Sequence, residues 1–205
     1  MLYYDSIGPN PKVVRVFMAE RGITGMPTET IDIRGGDNRR EAFLAKNPAG
    51  QCPALALDDG TVIAEITAIC EYLDEVGPAG KTLIGSTPEE RAETRMWMRR
   101  IDLNILEPMA NGFRFGEGLK MFQDRIYCIP LASDDLKKTA QKNLTWLDGL
   151  IAGRTFICGD RLTLADILLF VFVDFFAGIK QPLNPDNKNI AAWYERMKAR
   201  PSAAA

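Results

Sequence analysis

The sequence predicts an α/β half followed by an all-helical half. Three observations carry this. Between residues 1 and 76, short β-rich runs alternate with helical periodicity in the order β-α-β-α-β-β-α. Gly77-Pro78-Ala79-Gly80 then interrupts both patterns, as a boundary between units does. Beyond it every periodic segment is helical. The expected division is 1–76, a linker over 77–87, and a helical unit over 88–205.

Leu2-Tyr3-Tyr4 opens the chain as a strand. Asp5 to Pro11 is a loop rich in turn formers, and a helix follows to Arg21, closed by Gly22. Thr28 to Ile33 alternates as a second strand, Arg34 to Asn38 reads as a flexible loop, and Arg39 to Lys46 as a short helix. Ala54 to Leu57, Asp58-Asp59-Gly60 and Val62-Ile63 read as strand, turn and returning strand. Pro53 enters that hairpin, where a proline has no N–H for a ladder. Such a proline sits at an edge or is cis; on the base rate of about 5–6% cis, trans is the expectation. A helix starts near Glu65, with Ile66, Ile69, Cys70 and Leu73 on one buried stripe.

In the second half, Thr87-Pro88-Glu89-Glu90 is a helix start, and that helix is expected to reach about Phe115. A second spans Ser133 to Ile151. Thr163-Leu164-Ala165-Asp166 is a capping box opening a helix that is apolar all round, hence buried. The last helix carries Ile190, Trp193, Tyr194 and Met197 on one face and stops before Pro201.

Composition narrows the function. A net charge of -2 without a basic block argues against nucleic acid as a partner. The chain opens directly into a strand, with no leader segment, and its longest apolar run is too short to span a bilayer. Cys52, Cys70, Cys128 and Cys158 form no CxxC pair, so neither a zinc site nor a dithiol motif is expected, and reduced thiols fit the cytosol. There is no histidine, which removes Ser-His-Asp and Cys-His mechanisms and most transition-metal sites.

The ordered set Asn47-Pro48-…-Gly50-…-Pro53-Ala54-Leu55, Glu65 with Ala68-Ile69 and Tyr72-Leu73, Gly159-Asp160, Thr163 to Asp166, and Trp193-…-Arg196-Met197-…-Arg200-Pro201 resembles the cytosolic glutathione S-transferases over nearly the whole chain. The resemblance implies a thioredoxin-like first domain, a helical-bundle second domain, a homodimer and glutathione as co-substrate without a metal. It also implies a cis Pro53, reversing the base-rate expectation. The implied activity is thiolate attack on an apolar electrophile, or thiol–disulfide or peroxide reduction. A non-catalytic binding or regulatory relative of the same fold is the alternative.

The resemblance also assigns residues. The backbone of Cys52 would pair with the cysteinyl unit of glutathione as a short added strand, beside Pro53. Glu65 would take the γ-glutamyl ammonium, and the helix start at Ile66 the adjacent carboxylate. The family usually has Ser or Thr where this chain has Ile66, so one hydroxyl contact is lost. Gln51, and Arg39 among nearby arginines, could reach the glycyl carboxylate. The thiolate needs a donor from Asp5 to Pro11. Pro9-Asn10 resembles the nu-class bacterial enzymes, which makes Asn10 first choice and Ser6 the runner-up. The electrophile side would be lined by Asn111, Phe113, Arg114, Phe115, Phe122 and Tyr127.

Overall fold

Four strands form the sheet of the first unit: β1 (Leu2–Asp5), β2 (Thr28–Thr30), β3 (Ala54–Ala56) and β4 (Val62–Ala64). Their order is β2-β1-β3-β4, with β2 parallel to β1 and the other pairs antiparallel. The period of two places Tyr4 with Ile31, Phe43 and Ala54 on one face. Tyr4 meets Phe43 edge to face at 5.8 Å. Tyr3, on the opposite face, donates its hydroxyl to the Pro11 carbonyl at 3.0 Å.

That carbonyl belongs to α1 (Pro9–Arg21), which buries Val13, Val14 and Phe17. The helix begins two residues earlier than expected, because Pro9 and Pro11 both fit a first turn that needs no N–H. It ends at Gly22 in the left-handed region, φ 73, as the sequence indicates. Helix α2 (Glu41–Leu44) follows a 3-10 turn at Asp37–Arg39, so the single short helix expected over 39–46 is split. Helix α3 (Ile66–Val76) packs beside α1 and buries Ile69, Cys70 and Leu73; Ile66 is only half-buried.

Strand β2 is shorter than its alternation suggests. Asp32 Oδ1 accepts from the N–H groups of Arg34 and Gly35, each at 2.9 Å, and so turns the chain out of the ladder.

The computed structural model describes all 205 residues and divides into two compact units, residues 1–84 with 201–205, and residues 85–200. Most of the expected linker therefore belongs to the first unit. The reason is a polar knot. Buried Arg21 donates to the carbonyls of Asp74 at 2.7 Å and Pro78 at 3.0 Å. Its Nε lies 2.7 Å from Asp74 Oδ1, an ion pair in distance though not aligned as a hydrogen bond. Asp74 also accepts from the Leu83 N–H at 2.9 Å. The terminal turn is held by Ser202, which donates to Glu20 at 2.5 Å.

The second unit contains only helices: α4 (Pro88–Ile101), α5 (Glu107–Phe115), α6 (Leu119–Phe122), α7 (Ser133–Leu150), α8 (Leu164–Ala177) and α9 (Lys188–Lys198). Thr87 caps α4 by accepting from the Glu90 N–H at 3.2 Å. The long helix expected to reach Phe115 does so only through a π-helical segment, Asp102–Leu106. Short α6 carried no recognisable signal. Helix α8 is buried over most of its length, and both halves of its capping box form. Asp166 there also accepts from the Ile157 N–H at 2.8 Å and Trp193 Nε1 at 2.9 Å. No helix is long and apolar enough to cross a membrane.

Candidate functional site

Strand register decides where the candidate residues meet. Tyr4 pairs with Ala54, and Ala54 with Ala64. The residues that follow Tyr4, precede Ala54 and follow Ala64 therefore leave the sheet at the same end. These are the Asp5–Asn10 loop, Cys52-Pro53 and Glu65. Asp5 pairs with Thr30 in parallel, so the loop carrying Arg34 and Arg39 leaves there too. Sequence positions 10, 52 and 65 are gathered by two ladder pairs, Tyr4–Ala54 and Ala54–Ala64.

The Cys52–Pro53 bond is cis, as the resemblance implies. The stretch before it is pinned by two buried asparagines. Asn38 donates to the Gly50 carbonyl at 2.5 Å, and Asn47 to the Gln51 carbonyl at 2.8 Å. Asn47 Oδ1 also accepts from the Ala49 N–H at 3.2 Å. Asn38 lies in the loop expected to be flexible; its burial corrects that expectation, and no local pattern announces it. Asn47 was visible as part of the proline motif, without its task.

Glu65 is exposed and takes the position before α3 with φ 71, a conformation most side chains avoid. No side chain caps the helix, so the N–H groups of Ile66, Thr67 and Ala68 point outward without intrahelical partners. Gln51 and Arg39 are exposed. Burial pushes the Cys52 thiol up to about 11, with the Asp5 charge adding to it, so this thiol is not activated.

Asn10 sits half-buried in the first turn of α1, and its amide has no partner in the chain. Gly8, not Asn10, is the residue that caps the helix. Two of the four residues that open α1 are prolines, so this turn offers few backbone N–H groups. Ser6 is corrected. It is 4% exposed and spends its one proton on the Ile31 carbonyl at 2.9 Å. That hydroxyl ties a loop to the fold and is not available to a ligand.

The helical unit also sorts its candidates. Phe115 is buried in the packed interior, which removes it from a ligand-facing list. Phe113 is half-buried and meets Phe122 and Phe176, each at 6.0 Å. Asn111 donates to Glu107 at 2.7 Å and accepts from Arg114 at 3.0 Å. Tyr127 is 88% exposed. No three His, Cys, Asp or Glu side chains gather in a way that could hold a metal ion.

The family model of the glutathione S-transferase N-terminal domain matches residues 7–76, and that of the C-terminal domain residues 130–196. Glutathione S-transferase 2 of Saccharomyces cerevisiae is 32% identical over 209 residues, covering 98% of this chain and 87% of that protein. The chain belongs to the glutathione S-transferase family. Solved structures agree. A glutathione S-transferase domain-containing protein from Marinobacter aquaeolei VT8 superposes with a TM-score of 0.89 at 35% identity, covering 98% of this chain and 99% of that one. Gtt2 from Saccharomyces cerevisiae gives 0.88 at 32%, covering 100% and 99%.

Proposed function

We propose that the chain is a glutathione transferase whose tripeptide site is the end of the sheet described above. The single observation that carries this is the convergence of Asn10, Cys52 and an unpaired Glu65 through the Tyr4–Ala54–Ala64 register. An extended peptide laid along Cys52 pairs with its backbone, as an added strand does. Its γ-glutamyl ammonium faces the Glu65 carboxylate. The neighbouring carboxylate meets the free N–H groups at the start of α3, where the helix dipole favours an anion. Gln51 and Arg39 answer the glycyl carboxylate.

The thiol sulfur then lies towards α1, where Asn10 donates its amide hydrogen and stabilises the thiolate. The thiolate then attacks an apolar electrophile. Ile66 contributes its backbone N–H but no hydroxyl, and losing one hydrogen bond to a charged group costs roughly 1.5–3 kcal/mol of affinity. The four free cysteines fit a reducing cytosol, and the family supports a homodimer.

Calorimetry with glutathione tests the reading. Saturation at millimolar glutathione, with binding weakened roughly 10–100-fold in Glu65→Gln, is the expected result. No heat of binding at that concentration would overturn it.

A further inference from the structure

One buried side chain joins the two segments that carry Arg39 and Gln51. Asn38 is 7% exposed, and its Nδ2 donates to the Gly50 carbonyl at 2.5 Å, across twelve residues of chain. The segments touch there. Gly50 has φ 60, and a Cβ at that position would stand 3.1 Å from the Asn38 carbonyl oxygen and 3.2 Å from Leu44 Cδ2. The 3-10 turn around Asn38 is closed by the Arg39 N–H on the Gly36 carbonyl at 2.9 Å and the Arg40 N–H on the Asp37 carbonyl at 3.2 Å. Arg40 pairs with Asp37 at 3.1 Å, whereas Arg39 has no acid of its own in the chain.

The Asn38 amide is not fully used. Its Oδ1 is buried and has no partner in the chain. The amide cannot turn over to meet one, because its oxygen would then face the Gly50 oxygen. A buried acceptor left unpaired costs free energy, so an amide is a poor filler of this space. What it supplies is a fixed distance between two loops. Arg39 follows Asn38 and Gln51 follows Gly50, so this one bond sets the gap between an unpaired guanidinium and a side-chain amide. Both side chains are exposed and rich in rotamers. Holding their backbones in register lowers the cost of bringing them onto one anion.

We propose that Asn38 is a positioning residue for the glycyl end of the tripeptide. Acting through the Gly50 carbonyl, it aligns Arg39 and Gln51 on the terminal carboxylate, and so makes the site select ligands that carry this charge. Asn38 itself touches no ligand. This rests on the transferase reading above, and every residue involved lies within residues 1–84.

The test compares glutathione with its C-terminal amide, which lacks only that charge. Each is titrated calorimetrically into the wild type and its variants. Glutathione should bind the wild type about tenfold more tightly than the amide, as a charge-assisted pair implies. Asn38→Leu keeps the volume and removes the donor. It should cut the ratio to about twofold while the affinity for the amide hardly moves. A merely structural role would weaken both ligands equally; that result overturns the proposal, as does an unchanged ratio. Equal affinities in the wild type overturn it too and leave the transferase reading standing. If neither ligand binds the wild type, the transferase reading fails and takes the proposal with it. Should Asn38→Leu fail to fold by circular dichroism, Asn38→Ser, too short to reach Gly50, is read in the same way. Arg39→Gln, at an exposed position, should also lower the ratio, and an unchanged ratio there overturns the proposal.

Discussion

Asn143, in α7, donates its side-chain amide to the main-chain carbonyl of Asn104 at 2.7 Å. That carbonyl would ordinarily accept from the N–H four residues on, but position 108 is proline. The π-helical segment Asp102–Leu106 ends two residues before this proline, where the ladder must be broken. The side chain of one helix thus replaces a donor missing from another.

Asn143→Ala should therefore cost about 0.5–1.5 kcal/mol, the net worth of a hydrogen bond. Pro108→Ala restores the N–H, and in that background Asn143→Ala should cost less. A double-mutant cycle by urea unfolding measures this coupling. Strict additivity of the two changes would show that Asn143 does not compensate for Pro108.

Asn10→Ala should raise the pKa of bound glutathione and lower turnover at neutral pH by about 10²–10³, the usual loss for a dominant donor to an anion. Ser6→Ala should leave the thiolate titration unchanged and cost about 1–3 kcal/mol of stability, because the Ile31 carbonyl loses its partner. Thiolate ultraviolet absorbance against pH, with a melting curve for each variant, separates the two. A shifted titration in Ser6→Ala alone would reverse the assignment.

Glu65 holds φ 71 at a cost of about 1–3 kcal/mol for a non-glycine residue. Glu65→Gly should relieve that strain and stabilise the fold by about 1 kcal/mol while losing glutathione. Glu65→Gln should leave stability unchanged and weaken glutathione by roughly 10–100-fold, the worth of a charge-assisted bond. If Glu65→Gly melts lower than wild type, the strain account is wrong.

Glu117 and Lys137 pair at 2.8 Å, and the Lys137 hydrogen bond holds the Glu117 carboxyl below its ordinary range. A lowered native pKa gives stability that is present above the unfolded pKa and lost as pH falls through the native value. Glu117→Gln should flatten the acid side of the stability profile. At neutral pH the loss should not exceed about 1 kcal/mol, since the pair is partly solvated. An acid limb of unchanged slope below pH ~4.3 would remove this pair as a contributor.

The sequence by itself determined the α/β half, the helical half, and the ends marked by Gly22, Thr87 and the Thr163–Asp166 box. These are local properties: a period of 2 or 3.6, a cap, a missing N–H. It also held the proline motif and Glu65, because their residue types and spacing are written in order along the chain. Tertiary structure alone decided which neighbours those residues have. Ser6 and Asn10 lie in one loop and look equivalent as donors, yet only the return of Ile31 beside β1 ties up the Ser6 hydroxyl. Asn38 reads as a loop residue until the fold brings Gly50 within its reach. Phe113 and Phe115 are two residues apart, and packing buries one while leaving the other half open. In each case the deciding partner is distant in sequence, and no local pattern encodes a distance that only folding closes.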